Sequence, residues 1–498
     1  MSGERLRELV AGMPIPFGGD RVTHVPEALA AAFQPGDRLI VVQESGELLH
    51  VPADVHAAAA AAVGQAAEAF EAMRAVSQDQ ISAFFEAFAA TLESDAGWAA
   101  ITAANDTDVA RARALGRSTT RLAATPRMRT EMIEGLRRWR DAPPTSERLV
   151  ERVDHEGWRV EQVTAPLGVV AFVFEGRPNV FADAAGVIRG GNTVAFRIGS
   201  DALGTARAIA EHALRPALSA AGLPPGAAVL LGSPQRAAGW AMFSDRRVAL
   251  AVARGSGPAT AQLGAVARQS GVPISLHGTG GAWMIAAPDA DAARFAAAVT
   301  ASLDRKVCNT LNVCVLVGGP RLLPAFLDAL KAAGQRGGHG CKLHVVTGYD
   351  WLPETWTSAR TSVRRADGDH DEPLVERLDE AALGTEWEWE ATPEVSLVVV
   401  PTLEEAVALF NRYSPQFIVS VIAGDQQTCD YVWANANAGF VGDGMTRWVD
   451  GQYALGRPEL GLSNWEHGRL LARGGVLSGD SVFTIRTRMR QDDPALHR

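Results

Sequence analysis

The side chains of this sequence best suited to covalent chemistry are its four cysteines, Cys308, Cys314, Cys341 and Cys429. Cys308 directly follows Arg305, Lys306 and Val307. A thiolate attacks acyl carbon, and a hydride can reduce the thioester that forms. Neighbouring cations can lower the pKa of a thiol or receive a departing phosphate. Cys308 is therefore a candidate nucleophile, with a buried and inert cysteine as the alternative.

The inert alternative suits Cys314, because this residue lies within the apolar run of residues 313–317. Cys341 lies in a glycine-rich stretch that predicts a loop, and it is a distant rival to Cys308. The cysteines show neither a C-x-x-C pair nor the spacing of a metal site. We therefore expect a reduced protein without a metal.

Two glycine-containing segments predict strands that end in polar groups. Residues 166–180 form an apolar run followed by a polar turn that contains Asn179, and residues 190–200 carry Arg197 and end at Ser200. At the carboxyl edge of a parallel sheet, such groups face a ligand. Each segment alone is weak evidence, since glycine-rich strand ends are commonly plain turns.

The middle of the chain alternates between apolar strand-like runs and helix-like segments. This alternation predicts an α/β fold with parallel, doubly wound sheets. The strands expected in a first series are residues 168–174, 193–197, 227–231, 248–252 and 273–276. A second series begins near Cys314 and includes residues 395–400.

Helices and ribbons are predicted around these strands. The alanine-rich residues 56–75 predict a helix with Asp54 as its N-cap, and further helices extend to about Trp139. Residues 150–163 predict a hairpin that turns at Glu156-Gly157, and residues 481–486 predict a second ribbon. Because both are short of partners, we expect them to pair with each other or across a subunit interface.

Composition and charge exclude several classes of protein. The 498 residues carry a net charge of −10, which argues against a basic surface for nucleic acid. The sequence contains no apolar stretch of about 20 residues, as a membrane span requires, and no apolar segment follows the charged N-terminus. We therefore expect a cytoplasmic protein without nucleic-acid or membrane partners.

In their order along the chain, the motifs resemble the aldehyde dehydrogenase superfamily, and most closely the gamma-glutamyl phosphate reductases. Residues 166–180 match that family's P-L-G-V-V-x-x-I-Y-E-A-R-P-N-V, and residues 191–202 match G-N-A-V-V-L-R-G-G-S-E-A. Residues 254–257 stand where the family has R-G-G-x-G, residues 307–310 stand where it has V-C-N-A around its nucleophile, and residues 446–451 resemble T-R-F-T-D-G. The resemblance is collinear from about residue 60 to the C-terminus.

The resemblance implies two doubly wound α/β domains of aldehyde dehydrogenase type and a β-ribbon for oligomerisation. The domains implied are a cofactor-binding domain at 53–148 and 166–273, a catalytic domain at 274–476, and ribbons at 149–165 and 477–498. Residues 1–52 are an extension with a small strand-turn-strand module. Contact with a carrier or partner and contact within an oligomer both stay open for this extension.

For catalysis, the resemblance implies that Cys308 is the nucleophile. Asn179 would form an oxyanion hole with the backbone N–H of Cys308, although a turn residue after proline is the alternative. Arg305, Lys306 and Arg447 would bind the substrate, with Arg447 suited to a carboxylate.

For the cofactor, the resemblance implies NADPH/NADP+, with NADH as the other option. Arg197 and Ser200 would contact the adenosine ribose or a 2′-phosphate, unless Arg197 is an exposed arginine paired with a carboxylate. Gly255 and Ser256 would lie near the diphosphate. Glu390 would hold the nicotinamide ribose, with a solvated charged face over residues 386–390 as the alternative.

A missing glutamate indicates which molecule accepts the acyl group. Hydrolytic aldehyde dehydrogenases place a glutamate in E-L-G-G, where it activates the water that cleaves the thioester. The matching stretch here is His277-Gly278-Thr279-Gly280-Gly281, so Gly278 stands at the position of the glutamate. Exchange with phosphate or with another thiol is then favoured over hydrolysis.

Several positions depart from the family pattern, which indicates a specialised relative with an altered substrate. They are Asp304 and Lys306 before the nucleophile, Asn312 in place of a glutamate, Ala282-Trp283 in place of a C-H pair, Phe417 in place of a histidine, and Trp448. The substrate is expected to be a small acyl phosphate or aldehyde, free or carrier-bound.

Three functions are consistent with the sequence. The first is NADPH-dependent reduction of an acyl phosphate to the aldehyde through a Cys308 thioester. The second is a thioester-acylating dehydrogenase that uses coenzyme A or a carrier protein. The third is a catalytically idle assembly or binding paralogue. A homodimer or homotetramer is expected in each case.

Overall fold

The computed structural model describes residues 4–117, 119, 121–174, 176–365, 368–466, 469–470 and 474–496. The chain divides into two compact units. Unit 1 comprises Met1–Gly278, Arg457–Leu462 and Val476–Arg498, and unit 2 comprises Thr279–Gly456 and Ser463–Gly475. Within the described residues, no helix has both the length and the apolar character that a membrane crossing requires.

The long N-terminal stretch of unit 1 contains paired strands, a set of helices and a parallel sheet. Its strands are β1 (Pro14–Phe17), β2 (Arg21–His24), β3 (Arg38–Val41), β4 (Leu48–Val51), β5 (Leu149–His155), β6 (Trp158–Pro166), β7 (Val169–Phe174), β8 (Thr193–Ile198), β9 (Ala228–Leu230), β10 (Val248–Arg254) and β11 (Ile274–His277). Its helices are α1 (Glu27–Ala32), α2 (Ala53–Ala72), α3 (Gln78–Glu93), α4 (Asp95–Ala114), α5 (Pro126–Asp141), α6 (Val180–Ala185), α7 (Leu203–Ile209), α8 (Arg215–Ala220), α9 (Ala237–Phe243) and α10 (Gly257–Gln269).

The sheet of unit 1 is parallel, with the strand order β11-β10-β7-β8-β9 in the described residues. The chain runs outward from β7 to β9 and then returns to the other side of β7 with β10. The strand order therefore reverses between β7 and β10, and ligands bind outside the carboxyl ends of strands at such a point. The strands predicted at 168–174, 193–197, 227–231 and 273–276 are confirmed to within one residue at each end, and the strand predicted at 248–252 is confirmed as β10, which extends two residues further to Arg254.

The N-terminal extension is made of two antiparallel hairpins, β1–β2 and β3–β4. The strand-turn-strand module predicted before residue 52 is confirmed as β3–β4, whereas the β1–β2 hairpin was not predicted. Leu9, Val25 and Phe33 form a small core of the extension. Val42 and Leu49 pack against Val266 of α10, which fixes the extension to the parallel sheet's helical layer.

The prediction that Asp54 caps the first long helix is wrong. Helix α2 begins at Ala53 with Pro52 as its N-cap, so Asp54 lies inside the first turn. The Ala53 N–H donates instead to the Asp37 carboxylate at 2.9 Å. The first N–H groups of a helix have no acceptor within the helix, and here the Asp37 side chain supplies one of these acceptors.

Unit 2 is built on a second parallel sheet with the order β17-β14-β18-β13-β12-β19-β20 in the described residues. Its strands up to Gly456 are β12 (Ala282–Ala286), β13 (Leu311–Val317), β14 (Lys342–Val345), β15 (Arg360–Arg365), β16 (Gly368–Pro373), β17 (Val375–Arg377), β18 (Glu394–Val400), β19 (Ile418–Ile422) and β20 (Phe440–Gly442). Its helices are α11 (Ala292–Ala301), α12 (Leu323–Arg336), α13 (Glu354–Thr357), α14 (Leu403–Tyr413), α15 (Gln426–Asn435) and α16 (Gly451–Ala454). The chain thus forms the two parallel α/β sheets that were predicted.

The C-terminal strands are β21 (Glu459–Leu462), β22 (Trp465–Glu466), β23 (Arg469–Leu470), β24 (Val476–Ser478) and β25 (Phe483–Gln491). In unit 1, β25 pairs antiparallel with β6 from Phe483 opposite Pro166 to Gln491 opposite Trp158. Strand β5 pairs with the other edge of β6 through the turn predicted at Glu156-Gly157. The two predicted ribbons therefore pair with each other within one chain.

Candidate active site

The nucleophile candidate lies in the loop between α11 and β13 of unit 2. Cys308 is half-buried, and its carbonyl accepts a hydrogen bond from the Gly281 N–H at 2.8 Å. Thr310 closes the loop, because its Oγ1 accepts from the Val307 N–H at 2.9 Å and donates to the Arg305 carbonyl at 2.7 Å. These bonds hold the backbone on both sides of the thiol. Such support keeps a reactive group within the narrow geometry that catalysis requires.

A carboxylate that was not singled out from the sequence, Glu386, is tied to the same loop. Its Oε1 accepts from Lys306 Nζ at 2.6 Å, and its Oε2 accepts from the Gly280 N–H at 2.7 Å. The Lys306 side chain is only 6% exposed, so this ion pair is nearly dry. Contact of Lys306 with a leaving phosphate, as predicted, would require the pair to open.

Asn312, which departs from the family pattern, holds the segment that carries Glu386. Its Nδ2 donates to the Thr385 carbonyl at 2.8 Å, and its Oδ1 accepts from the Trp387 N–H at 2.9 Å. The substitution thus has a structural use, because it positions the carboxylate that binds Lys306. The sequence feature that could have identified Glu386 is the alternation Glu386-Trp387-Glu388-Trp389-Glu390. If this segment is extended, such an alternation places every second residue on the same side.

Arg447 also supports the nucleophile loop. Its Nε donates to Asp304 at 2.6 Å and its Nη1 donates to the Asn309 side chain, one residue after Cys308. Asn309 Nδ2 in turn donates to the Val449 carbonyl at 2.7 Å. Arg447 therefore holds this loop in the structure, and its binding of a substrate carboxylate stays a prediction.

Arg305 and Glu390 are exposed and border an open depression of about 470 Å³ in unit 2. The depression is also lined by Asp304, Arg336 and His339. In the described part of unit 2, the carboxylate that hydrogen-bonds to the nucleophile loop is Glu386 and not Glu390. The predicted ribose contact of Glu390 has no support from this geometry and stays a prediction.

Asn179 follows β7 at the point where the unit 1 sheet reverses its order. It stands at the N-terminus of α6, but its side chain makes no capping hydrogen bond. Its Oδ1 is buried and has no hydrogen-bond partner among the described residues. The Asn179 side chain therefore makes no local turn bond through this oxygen, and the predicted oxyanion hole would use the N–H donors of its Nδ2 instead. Asn179 lies in unit 1 and Cys308 in unit 2, so their shared oxyanion hole stays a prediction, and Glu175 of the same motif lies outside the described residues.

The glycine at position 278 packs closely on helix α10 in unit 1. A Cβ at this position would lie 2.3 Å from Thr260 Oγ1. A glutamate here would therefore require the Thr260 side chain to move. The packing thus disfavours a hydrolytic base at this position.

Arg197 lies at the carboxyl end of β8 and is 8% exposed. Its Nη2 donates to the Pro234 carbonyl at 3.1 Å, whereas its Nε is buried without a hydrogen-bond partner in the described chain. The alternative of an exposed arginine paired with a carboxylate is wrong for the residues that the structure describes. A buried guanidinium whose Nε has no partner fits a cofactor anion at this edge of the sheet.

The other cofactor candidates share this carboxyl edge. Gly255 follows β10, and its N–H donates to the His277 carbonyl at 3.1 Å. Ser256 is exposed and precedes α10 without capping it through its side chain. Ser200 is exposed after β8. These positions fit a nucleotide lying across the sheet edge, with its diphosphate at the N-terminus of α10.

Two departures from the family pattern lie in the core of unit 2 and do not face a substrate. Trp283 is fully buried in β12 and packs edge-to-face on Phe410. Phe417 is buried and packs edge-to-face on Phe440. The expectation that these positions alter the substrate-binding surface is therefore wrong.

The profile of the aldehyde dehydrogenase family matches residues 40–332. A gamma-glutamyl phosphate reductase from Rhizorhabdus wittichii is 30% identical over 385 residues, which cover 76% of this chain and 82% of that protein.

Two solved structures have the same fold. The gamma-glutamyl phosphate reductase of Thermotoga maritima has a TM-score of 0.75 at 20% identity, covering 88% of this chain and 100% of that one. An acetylating aldehyde dehydrogenase from Geobacillus thermoglucosidasius has a TM-score of 0.60 at 15% identity, covering 89% and 99%.

Proposed function

Because the chain belongs to the aldehyde dehydrogenase family, we propose that it reduces an acyl phosphate of the gamma-glutamyl phosphate type to the aldehyde. The reaction proceeds through a thioester on Cys308. The observation that carries the proposal is a loop whose backbone is held on both sides of Cys308, combined with a glycine at 278, where the hydrolytic enzymes have a glutamate. The 30% identical relative, which is named a gamma-glutamyl phosphate reductase, supports the acyl phosphate as substrate.

In the first step, the Cys308 sulfur attacks the acyl carbon. A C–S bond forms, the C–O bond to phosphate breaks, and the phosphate leaves with the bonding electrons. Asn179 and the Cys308 N–H stabilise negative charge on the carbonyl oxygen. The exposed Arg305 guanidinium, three residues before the thiol, receives the phosphate.

The second step needs a nicotinamide cofactor, which supplies the hydride that brings the thioester carbon to the aldehyde level. Arg197, Ser200, Gly255 and Ser256 are the residues of unit 1 that hold it. The unpartnered Nε of Arg197 favours a cofactor with an additional phosphate, so we take NADPH as the preferred form. The Cys308 thiolate is released when the C–S bond breaks.

A thioester-acylating dehydrogenase is the second candidate. Without a base at position 278, a thiol such as coenzyme A is as suitable an acceptor of the acyl group as phosphate. The similarity to an acetylating aldehyde dehydrogenase concerns the fold, which serves both reactions. An idle paralogue is the third candidate, and the supported thiol loop argues against it.

The deciding experiment oxidises a panel of aldehydes, including a glutamate-derived semialdehyde, with NADP+ in the presence and absence of phosphate or arsenate. The expected result is NADPH formation that requires phosphate or arsenate. Activity with coenzyme A alone would establish the acylating enzyme instead. No turnover with any acceptor, together with no rapid alkylation of Cys308, would establish the idle paralogue. Cys308→Ser is the matched control for all three arms.

A further inference from the structure

Trp387, which directly follows Glu386 in unit 2, is held by three of its own groups. Its backbone N–H donates to Asn312 Oδ1 at 2.9 Å, and its indole Nε1 donates to Ser396 Oγ of β18 at 2.8 Å. Its ring stacks on His344 of β14, with the ring centroids 3.8 Å apart and an angle of 10° between the planes. Both the position and the orientation of this half-buried side chain are therefore fixed.

The His344 ring is itself held by charged groups. Its Nε2 lies 2.6 Å from Glu394 Oε1, and its Nδ1 lies 3.7 Å from Glu376 Oε2. The Glu394 side chain is fully buried and also accepts from Arg365 Nη1 at 3.0 Å. Because a carboxylate lies at each ring nitrogen, the plane of the imidazole on which Trp387 stacks is fixed as well.

From Trp387 the contacts continue through Glu386 to the nucleophile loop. The Glu386 carboxylate accepts from Lys306 Nζ at 2.6 Å and from the Gly280 N–H at 2.7 Å, and these two hydrogen bonds form a clamp. Gly280 lies against Cys308, since a Cβ at position 280 would come within 2.5 Å of Cys308 Cα. A continuous series of contacts therefore joins the Trp387 ring to the backbone of the thiol.

Packing alone does not account for this arrangement. Trp356 is a second half-buried tryptophan that packs against the same hydrophobic core of unit 2. Filling space against that core requires neither a stack on His344 nor a buried ion network behind it. Such networks are often no more stabilising than apolar residues of the same size. The orientation that the network gives to Trp387 is what an apolar replacement would not supply.

We propose that Trp387 is a positioning residue for the reduction, because it places Glu386 so that the clamp keeps the Cys308 loop in its reactive geometry. His344 supports Trp387 from β14. A reacting group needs such support, since a displacement of about 1 Å can lower the rate about 100-fold. The inference rests on the proposed function for its chemistry, whereas the clamp itself is a property of the folded chain.

The test is hydrogen–deuterium exchange of the full-length protein, read at the Gly280 amide by mass spectrometry with electron-transfer fragmentation. This amide exchanges when its hydrogen bond to Glu386 opens. The variants are Trp387→Leu, which removes the stack and the indole N–H, and Trp387→Phe, which keeps an aromatic ring. Trp356→Leu is the matched control, because it removes a tryptophan from the same core. Far-UV circular dichroism checks that each variant is folded.

Trp387→Leu should speed exchange of the Gly280 amide by about tenfold or more, the combined effect of a lost aromatic stack and a lost hydrogen bond. Trp387→Phe should speed it less, and Trp356→Leu should change it by less than about twofold. In the aldehyde oxidation assay, Trp387→Leu should lower kcat by about tenfold or more. The KM for NADP+ should stay nearly unchanged, since the residues proposed to hold the cofactor lie in unit 1.

Unchanged exchange at Gly280 in Trp387→Leu would overturn the proposal. Equal acceleration in Trp356→Leu would also overturn it, because it would indicate general loosening of the core. Faster exchange with an unchanged kcat would separate the clamp from the reaction and exclude the positioning role. Exchange needs no substrate, so a wild type without turnover would refute the proposed function, while the Gly280 amide would still show whether Trp387 holds the clamp.

Discussion

Gly280 lies directly against the candidate nucleophile, Cys308. A Cβ at position 280 would come within 2.5 Å of Cys308 Cα and 2.8 Å of Cys308 Cβ. The Gly280 N–H is meanwhile held by Glu386 at 2.7 Å, so the glycine is unable to withdraw without breaking that bond. The position of the thiol thus depends on a residue that contributes no side chain.

Gly280→Ala is therefore expected to displace Cys308. A displacement of about 1 Å at a reacting group can lower the rate about 100-fold, so kcat should fall by roughly this factor while cofactor binding is retained. Gly444→Ala is the matched control in unit 2, because nothing lies within 4 Å of a Cβ there. Steady-state kinetics and nucleotide titration of both variants check the prediction. Full activity in Gly280→Ala would show that the loop adapts at no cost.

Alkylation should distinguish the cysteines. Burial raises the pKa of the Cys341 thiol to about 12 and raises that of Cys314 further. Burial and the charge of Asp443 raise the pKa of Cys429. Since the thiolate is the reactive form, iodoacetamide at pH 8 should modify Cys308 first.

Peptide mapping by mass spectrometry measures the order of alkylation. Cys308→Ser should abolish the fast phase, whereas the control Cys341→Ser should leave it unchanged. Equal labelling rates at Cys308 and Cys341 in the wild type would remove the nucleophile assignment.

The strands and the nucleophile loop could be predicted from sequence because their signals are local. Apolar runs bounded by glycine locate β7, β8 and β10, and the V-C-N-T motif locates Cys308. The contacts made by Glu386 and Arg447 could not be predicted in this way, because their partners are distant in the chain. The same reason explains the error at Asp54, since the first turn of α2 is bonded by Asp37, 16 residues away.

The tight contact between Gly278 and Thr260 predicts an energetic coupling. Gly278→Ala should lower the free energy of unfolding by about 1–3 kcal/mol through overpacking. In a Thr260→Ala background the hydroxyl is absent, so the same change should cost clearly less. Denaturant unfolding of the two single variants and the double variant gives the coupling energy. Simple additivity of the two changes would contradict the described packing.

His277 should make the protein less stable in acid. Burial, and then the charges of Arg254 and Arg177, hold the pKa of His277 well below its usual 6.5, and the Leu462 N–H donates to its Nδ1 at 2.9 Å. Below pH 6.5 the unfolded chain therefore binds a proton that the folded chain does not. This group alone makes the unfolding free energy fall with decreasing pH, with a slope of up to about 1.4 kcal/mol per pH unit.

His277→Asn removes the titrating group and keeps an acceptor for the Leu462 N–H. Its unfolding free energy should fall less between pH 6.5 and 5 than that of the wild type, as denaturant titrations at several pH values would measure. Parallel curves for the two proteins would show that His277 titrates normally in the folded state.

The three-stranded ribbon predicts the oligomeric state. Val150, Val153, Ile485 and Met489 are exposed apolar residues on β5 and β25. Exposed apolar strands usually mark an interface, so we propose that a second copy of the chain covers them. Val153→Asp combined with Met489→Asp should give monomers in sedimentation velocity, whereas the wild type should sediment as a dimer or tetramer. A surface control is Val22→Asp on β2. An unchanged assembly in the double variant would exclude the ribbon as the interface.

The pairing of β25 with β6 also sets the order in which the chain can fold during synthesis. The core of unit 1 includes Leu460, Leu477 and Val482, and Asn192 donates to the Val482 carbonyl across 290 residues of sequence. At translation rates of 5–20 residues per second, about 15 to 60 s pass between the emergence of these two residues from the ribosome. Throughout that interval, the apolar core of unit 1 lacks the C-terminal residues that complete it. The core of unit 1 can therefore be completed only after nearly the whole chain has been synthesised.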